Sequence, residues 1–432
     1  MSRIIGIRHR WKDLAGKEGE EGMTFEDNPT CVAIKDGDAI RRYELKTETD
    51  ELDFLLGRFS ISWRVLGENE TTNNVFARHI VLEKKKGKPT GRTLVPESYV
   101  GFQTGDVVVM TLGGSGDRFA YALSRRGEKM GADVFRIEPG ELKRKRDLAG
   151  GKKEDDPTLL IELFGNSSEL FHECGPRDRD QIRVAEALRA RQAAQEDRKA
   201  TAQRLRQRLI GGIFLSDEGM YPEGTIEDVY DEAEANDRIL QAIRTEEKQC
   251  DNKLRDVVAL VPVYSKVFEP IEGCGHALAA RIIASVGDIR RFPNEAKFKA
   301  FVGVHVLGKD LKKMSPGTAR ADGDSVLARR RRGQVSDWNP TARQAFFLLG
   351  DQFNRRPDST WGKKLREYKA KFREKYPEPV TVDGKLRFTN GHIHKRALWR
   401  TVTKFAEHLY GTWRRIEREH EALVSEQLRK SA

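Results

Sequence analysis

Gly273 and Gly275 stand two apart in Ile271-Glu272-Gly273-Cys274-Gly275, just before an apolar segment carrying Leu278, Ile282, Ile283 and Val286. Closely spaced glycines let a backbone turn tightly and approach a ligand with no Cβ in the way. A helix that starts there offers unpaired N–H groups and a positive dipole end to an anion. With Arg281, Arg290 and Arg291 nearby in sequence, the anion that suits the pattern is a nucleic-acid phosphate. The spacing is that of a helix-hairpin-helix, although a plain helix-joining turn gives similar residues. Arg329, Arg330, Arg331 and Arg332 form a basic run suited to a DNA or RNA backbone or to a solvated loop. His392 and His394 would share one side of an extended strand, as two metal ligands do. Spacing supplies no third ligand, so a turn leading into a helix is the better reading. Gly113-Gly114-Ser115-Gly116 lacks both a Walker lysine and the Gly-x-Gly-x-x-Gly spacing, and reads as a structural turn.

These groups need elements to hold them. Residues 4–7 and 30–34 are β-type runs, and 39–45 pairs back on the second through Lys35-Asp36-Gly37-Asp38. Residues 106–111 read as a buried strand, followed by the glycine turn, an amphipathic helix over 119–126 and a strand over 132–137. Strand, turn, helix, strand is a βαβ unit, so a mostly parallel sheet is expected. From Pro176 the character changes. Residues 178–210 carry a thin apolar stripe (Ile182, Ala185, Leu188, Leu205, Leu209) and an Arg-rich outer face. An acidic loop, 216–224, leads to a second helix over about 226–260. The pair reads as an antiparallel coiled-coil arm, which fits either a dimer contact or a hairpin within one chain. Helices are expected over 340–349, 361–376 and 391–418. In the last, Leu398, Trp399, Val402, Phe405, Leu409 and Trp413 recur at helical spacing and read as core. Three domains follow: 1–175, 176–261 and 262–432.

Composition narrows the class. The 432 residues include 78 Lys+Arg against 67 Asp+Glu, a net charge of +11, which favours a polyanionic partner. The sequence shows no run long and apolar enough for a membrane span, and its first residues do not read as a signal peptide. Cys31, Cys174, Cys250 and Cys274 have neither metal-ligand spacing nor a disulfide framework. A cytoplasmic, reduced location is expected.

Taken together, the order resembles the insertion-sequence transposases and invertases that join an N-terminal RuvC-like (RNase H-like, DEDD) α/β domain to a serine-bearing, mainly α-helical C-terminal domain through a coiled coil. Bridge-RNA-guided recombinases and Piv-type invertases belong to that group. The resemblance is carried by Ile271–Gly275, by Ala279-Ala280-Arg281-Ile282-Ile283, by Val286-Gly287-Asp288-Ile289-Arg290-Arg291-Phe292 and by Phe301-Val302-Gly303. Arg332-Gly333-Gln334-Val335-Ser336 and Asn339-Pro340-Thr341-Ala342-Arg343 follow it, and residues 107–123 and 152–160 align more loosely.

The resemblance implies two chemical centres. A serine hydroxyl attacks a DNA phosphodiester and becomes linked to it; Ser325 fits the spacing best and Ser315 is second. Acidic residues on the sheet would hold Mg²⁺, and Asp155 with Asp156 are the acids left for that role. The other expected acidic positions hold Arg8, Thr111 and Thr158. The implied partners are double-stranded DNA, a structured guide RNA in some members, and further copies of the chain as a homodimer or tetramer through the arm. The rival expectation is a nucleic-acid-binding protein whose RuvC-like domain is degenerate and inert.

Overall fold

Full burial marks the central strands. Ile5 and Ile7 of Ile4–Arg8 and Val108, Val109 and Met110 of Val107–Thr111 are inaccessible to solvent, as strands covered on both faces require. The computed structural model describes residues 3–15, 24–67, 70–73, 75–85, 88–217, 219, 221–307, 326–327, 338–382 and 385–431. The chain divides into two units, with the boundary between Arg179 and Asp180.

The N-terminal unit is built on a six-stranded sheet in the order Phe171–Glu173, Asp133–Ile137, Val107–Thr111, Ile4–Arg8, Thr30–Asp36, Ala39–Leu45. Ile4–Arg8 runs parallel to Val107–Thr111, which runs parallel to Asp133–Ile137. The other three pairings are antiparallel, so the sheet is mixed and not mostly parallel. The reason is the connections. Only a crossover such as helix α2, Asp117–Met130, can return a chain to run parallel. The tight turn after Asp36 forces Ala39–Leu45 antiparallel.

Helix α1 is Glu48–Leu55, α3 is Pro139–Ala149 and α4 is Asp156–Asn166. Leu160, Ile161 and Leu163 of α4 join Ala33, Val109 and Ile137 in one core. Gly6 makes that packing possible, because a Cβ there would sit 1.9 Å from the Pro157 carbonyl oxygen. Sequence periodicity did not reveal the three-stranded sheet of Phe59–Val65, Val81–Lys85 and Lys88–Val100.

The second unit is helical. Helix α5, Pro176–Phe214, runs through the unit boundary. The stretch expected as one helix over 226–260 is two, α6 (Ile226–Asn236) and α7 (Arg238–Ala259). Asp237 breaks it by capping α7, its carboxylate accepting from the Leu240 N–H at 2.7 Å. The two strands of the arm run antiparallel within one chain. Arg191 meets Asp251, Arg198 meets Glu247, and the Tyr230 hydroxyl donates to the Ala202 carbonyl.

The remaining helices are α8 (His276–Val286), α9 (Glu295–Phe301), α10 (Pro340–Arg355), α11 (Thr360–Lys375) and α12 (Asn390–Ser431). Their core joins Ile282, Ile283, Phe298, Phe346, Phe353, Leu398, Val402, Phe405, Leu409 and Trp413. The aromatic residues of α12 are therefore core, as their spacing predicts. Trp399 and Tyr410 are half-buried and pack against that core. Among the described residues no helix is long and apolar enough to cross a membrane.

Candidate functional site

The glycine pair lies in a turn between two helical elements, called the hairpin below. A short helical turn, Tyr264–Phe268, precedes it and α8 follows. Gly273 has φ +83°, in the left-handed region that favours glycine. Its missing Cβ also makes room for another side chain, since a Cβ there would lie 2.3 Å from an Arg356 guanidinium nitrogen. Arg356 is thus laid against the hairpin and steadied by Gln352, which accepts from it at 2.6 Å. Gly275 is the N-cap of α8, exposed, with no side-chain cap on the first turn. Cys274 between them is buried, and burial pushes its thiol pKa up to about 12. It is an inert packing residue.

The arginines expected beside the hairpin divide. Arg281 lies on α8 and is partly exposed. Arg290 and Arg291 follow the other end of α8, which at 11 residues is roughly 16 Å long. Arg290 donates to both carboxylate oxygens of buried Asp288, through Nε at 3.0 Å and Nη2 at 2.8 Å. Arg291 lies over the rings of Phe292 and Phe301. The cation laid against Gly273 is Arg356, a residue 83 positions away that sequence reading missed. No local signal marks it.

The Asn339–Arg343 segment has a structural account. Asn339 caps α10, accepting from the Ala342 N–H at 2.9 Å, and Pro340 takes the first helical position. Arg343 lies over the rings of Trp338 and Trp399. Ser325, Ser315 and Arg329 to Arg332 lie outside the described residues. His392 and His394 fall in the first turn of α12, so neither is on a strand.

At the sheet, the positions where the resemblance implies acids do come together. Arg8 ends the first strand, Thr111 ends its parallel neighbour, and Asp155, Asp156 and Thr158 sit at the start of α4. Asp156 is fully buried. Arg146 donates to its two oxygens at 3.0 and 2.8 Å, and Arg8 lies 3.5 Å away. Burial pushes the Asp156 pKa up, against the pull of Arg146 and Arg8. Arg42 bridges the other two positions, donating to Thr158 Oγ1 at 3.1 Å and Asp155 Oδ1 at 3.2 Å. Asp155 is half exposed; hydrogen bonding from the Lys152 N–H, then from Arg42, holds its carboxyl below the usual range.

Three guanidinium groups thus supply the countercharge to two carboxylates. Among the described residues no group of three or more His, Cys, Asp and Glu side chains could hold a metal ion. This donor set suits guanidinium better than a divalent cation, whose charge the arginines would repel. Arg42 and Arg146, like Arg356, were not legible in sequence.

A search of curated proteins gives no match to the chain. Residues 265–309, which span the hairpin, α8 and α9, match the model of the transposase IS116/IS110/IS902 family, and this match supports an insertion-sequence transposase.

Proposed function

We propose that the chain is a DNA transposase or site-specific recombinase that works on double-stranded DNA by serine transesterification. The observation that carries this reading is the family match, which falls on the Gly273–Gly275 hairpin. The hairpin amides, Gly275 at the start of α8 and Arg356 hold backbone phosphate there. Arg281, Arg290, Arg291 and the Arg329 to Arg332 run add further backbone contacts. The sheet order with Ile4–Arg8 at its centre supports a RuvC-like N-terminal unit. Ser325 is the proposed nucleophile and Ser315 the second candidate. The serine Oγ attacks phosphorus, a P–O bond to the sugar breaks, and the strand end stays linked to the protein. Asp155 and Asp156 were the acids for Mg²⁺; with Arg8, Arg42 and Arg146 in place, no step is assigned to a metal. Guide RNA and assembly through further copies belong to the same reading. The helical hairpin of α5 with α6 and α7 closes within one chain, so assembly would use its outer faces.

The test is a protein–DNA covalent adduct on a denaturing gel. The protein, with any RNA that copurifies, is incubated with DNA flanking its own coding segment. Loss of the adduct in Ser325→Ala, with DNA binding kept, establishes the nucleophile. An unchanged adduct removes Ser325 from the mechanism.

The Arg8–Asp156–Arg146 cluster favours a second reading, a nucleic-acid-binding protein with a catalytically inert RuvC-like unit. Tight, salt-sensitive binding by folded protein with no adduct would select it.

A further inference from the structure

One cluster in the N-terminal unit, apart from the acidic positions, joins a hydroxyl, an imidazole and a carboxylate. Ser115 Oγ lies 2.9 Å from His9 Nδ1, and His9 Nε2 lies 3.3 Å from Glu51 Oε1. The fold assembles them from three elements. His9 directly follows the Ile4–Arg8 strand. Ser115 sits in the turn between the parallel Val107–Thr111 strand and α2, and Glu51 lies on α1.

Glu51 is buried and well held. It accepts from Thr30 Oγ1 at 2.7 Å and from Arg10 Nε at 3.0 Å. Burial works to raise its pKa, but the His9 imidazole at 3.3 Å, the bond from Thr30 and the nearby cationic charge outweigh that and hold it low. An ionised Glu51 beside Nε2 selects the tautomer with its proton there. That leaves the Nδ1 lone pair facing the Ser115 hydroxyl, the order a nucleophile, base and orienting acid require. The other acceptor near Ser115 Oγ is the Arg10 carbonyl, farther away at 3.5 Å.

The turn fits this task. Gly113 and Gly114 have φ of +89° and +76°. A Cβ on Gly116 would come within 3.1 Å of His9 Cβ, so glycine there permits the close approach. Ser115 is exposed, and it lines an open cleft of about 660 Å³ together with Arg10, Trp11, Asn28, Glu44 and Lys46.

We propose that Ser115, His9 and Glu51 form a nucleophilic centre for phosphoesters, separate from Ser325, with Ser115 as nucleophile, His9 as base and Glu51 as the positioning residue. Ser115 Oγ bonds to phosphorus as its proton passes to His9 Nδ1. A P–O ester bond breaks, and an alkoxide leaving group takes the proton back from His9. The choice of phosphorus over an acyl carbon rests on the DNA-acting reading above and on Lys46 in the cleft wall; Arg10 in the same wall is already paired with Glu48 and Glu51.

The first test needs no DNA. The full-length protein is treated with a fluorophosphonate probe, which loses fluoride as Oγ–P forms, and the labelled peptide is mapped by mass spectrometry. Ser115 should be labelled. His9→Gly should slow labelling roughly 10²-fold or more, the usual worth of a general base, and added imidazole should restore part of the rate. A structural role for His9 would not give that rescue. Folded protein unlabelled at Ser115, or labelled at the same rate without His9, overturns the proposal.

A second measurement decides the electrophile. Bis(p-nitrophenyl) phosphate should give a burst of p-nitrophenolate that Ser115→Ala abolishes. A burst with p-nitrophenyl acetate alone overturns the phosphoester assignment. Neither arm involves Ser325 or a DNA strand. A failed Ser325 adduct therefore leaves this result standing, and failure here leaves the transposase reading intact.

Discussion

In the N-terminal unit the polar end of the sheet is filled by charge: Asp156 is buried against Arg146 and Arg8, and Asp155 and Thr158 are tied to Arg42. In the helical unit the corresponding feature is made of backbone. Gly273 and Gly275 expose a helix start, and the cation beside them, Arg356, is anchored by a neutral glutamine. A carboxylate already matched by guanidinium has little left to offer a cation. A helix N-terminus flanked by one arginine retains its preference for an anion. The family match falls on the second feature, the one whose chemistry remains open.

The two cores share no residue, and a truncation should show it. Phe405 is fully buried and meets the rings of Phe268, Phe346, Phe353 and Trp361. Phe405→Ala should cost the helical unit about 3–5 kcal/mol. Amide exchange in Val107–Thr111 should stay unchanged, and a matching loss of protection there would break the comparison. Asp156→Asn should act in reverse. Removing the carboxylate leaves Arg8 and Arg146 facing each other, a cost of about 3 kcal/mol to the sheet unit. Replacing Asp156, Arg8 and Arg146 together by apolar residues should recover most of it, because a buried ion cluster is often no more stable than well-packed apolar groups. Urea unfolding followed by exchange in each unit separates the outcomes.

Legibility in sequence follows from range. Ile4–Arg8, Thr30–Asp36, Ala39–Leu45, Val107–Thr111 and Asp133–Ile137 declared themselves through apolar runs and a Lys35–Asp38 turn, because a strand's pattern is local. Helices α10 and α12 did so for the same reason. The Asp237 cap inside 226–260 is equally local, yet an Asp between helical segments also occurs on exposed faces, so the break was not read. What could not be read were the partners. Arg146 is ten residues from Asp156, Arg42 is 113 from Asp155, and Arg356 is 83 from Gly273. Each is one basic residue among 78, and only the fold singles it out. The same limit hid the His9–Ser115 contact, across 106 residues, behind a turn that reads as structural by its glycines alone.

The anion preference of the hairpin can be tested with little disturbance to the core. Arg356→Ala removes a half-buried side chain at the end of α10, so stability should fall by less than about 1 kcal/mol. DNA affinity should fall across sequences alike, and the slope of log affinity against log salt should shrink by about one, as for a lost phosphate contact. Gly273→Ala is harsher, since it strains a positive φ and drives a Cβ into Arg356; about 1–3 kcal/mol is expected. An unchanged salt slope in Arg356→Ala would remove this end of α8 from the DNA contact.

The smallest effect belongs to the arm, where ion pairs join α5 to α7 beside an apolar contact of Val184, Ala187 and Leu188 with Leu254 and Val258. Asp251 receives Arg191 from α5 and lies 3.0 Å from His276 Nε2 at the start of α8. Burial acts to raise its pKa, yet the hydrogen bond from Arg191 and the close imidazole of His276 prevail and hold it below the usual value. A lowered folded pKa means that the stabilisation is complete above the unfolded value, about 3.9, and is lost as pH falls through the folded one. Arg191→Ala should therefore cost at most about 1 kcal/mol at neutral pH, and less where Asp251 is protonated. Amide exchange in α7 would register this as a mutant difference present at pH 7 that closes only as pH falls below the ordinary carboxylate range. A difference that persists in acid would mean that Arg191 acts through its packed stem, making the arm more like the apolar core than its sequence implies.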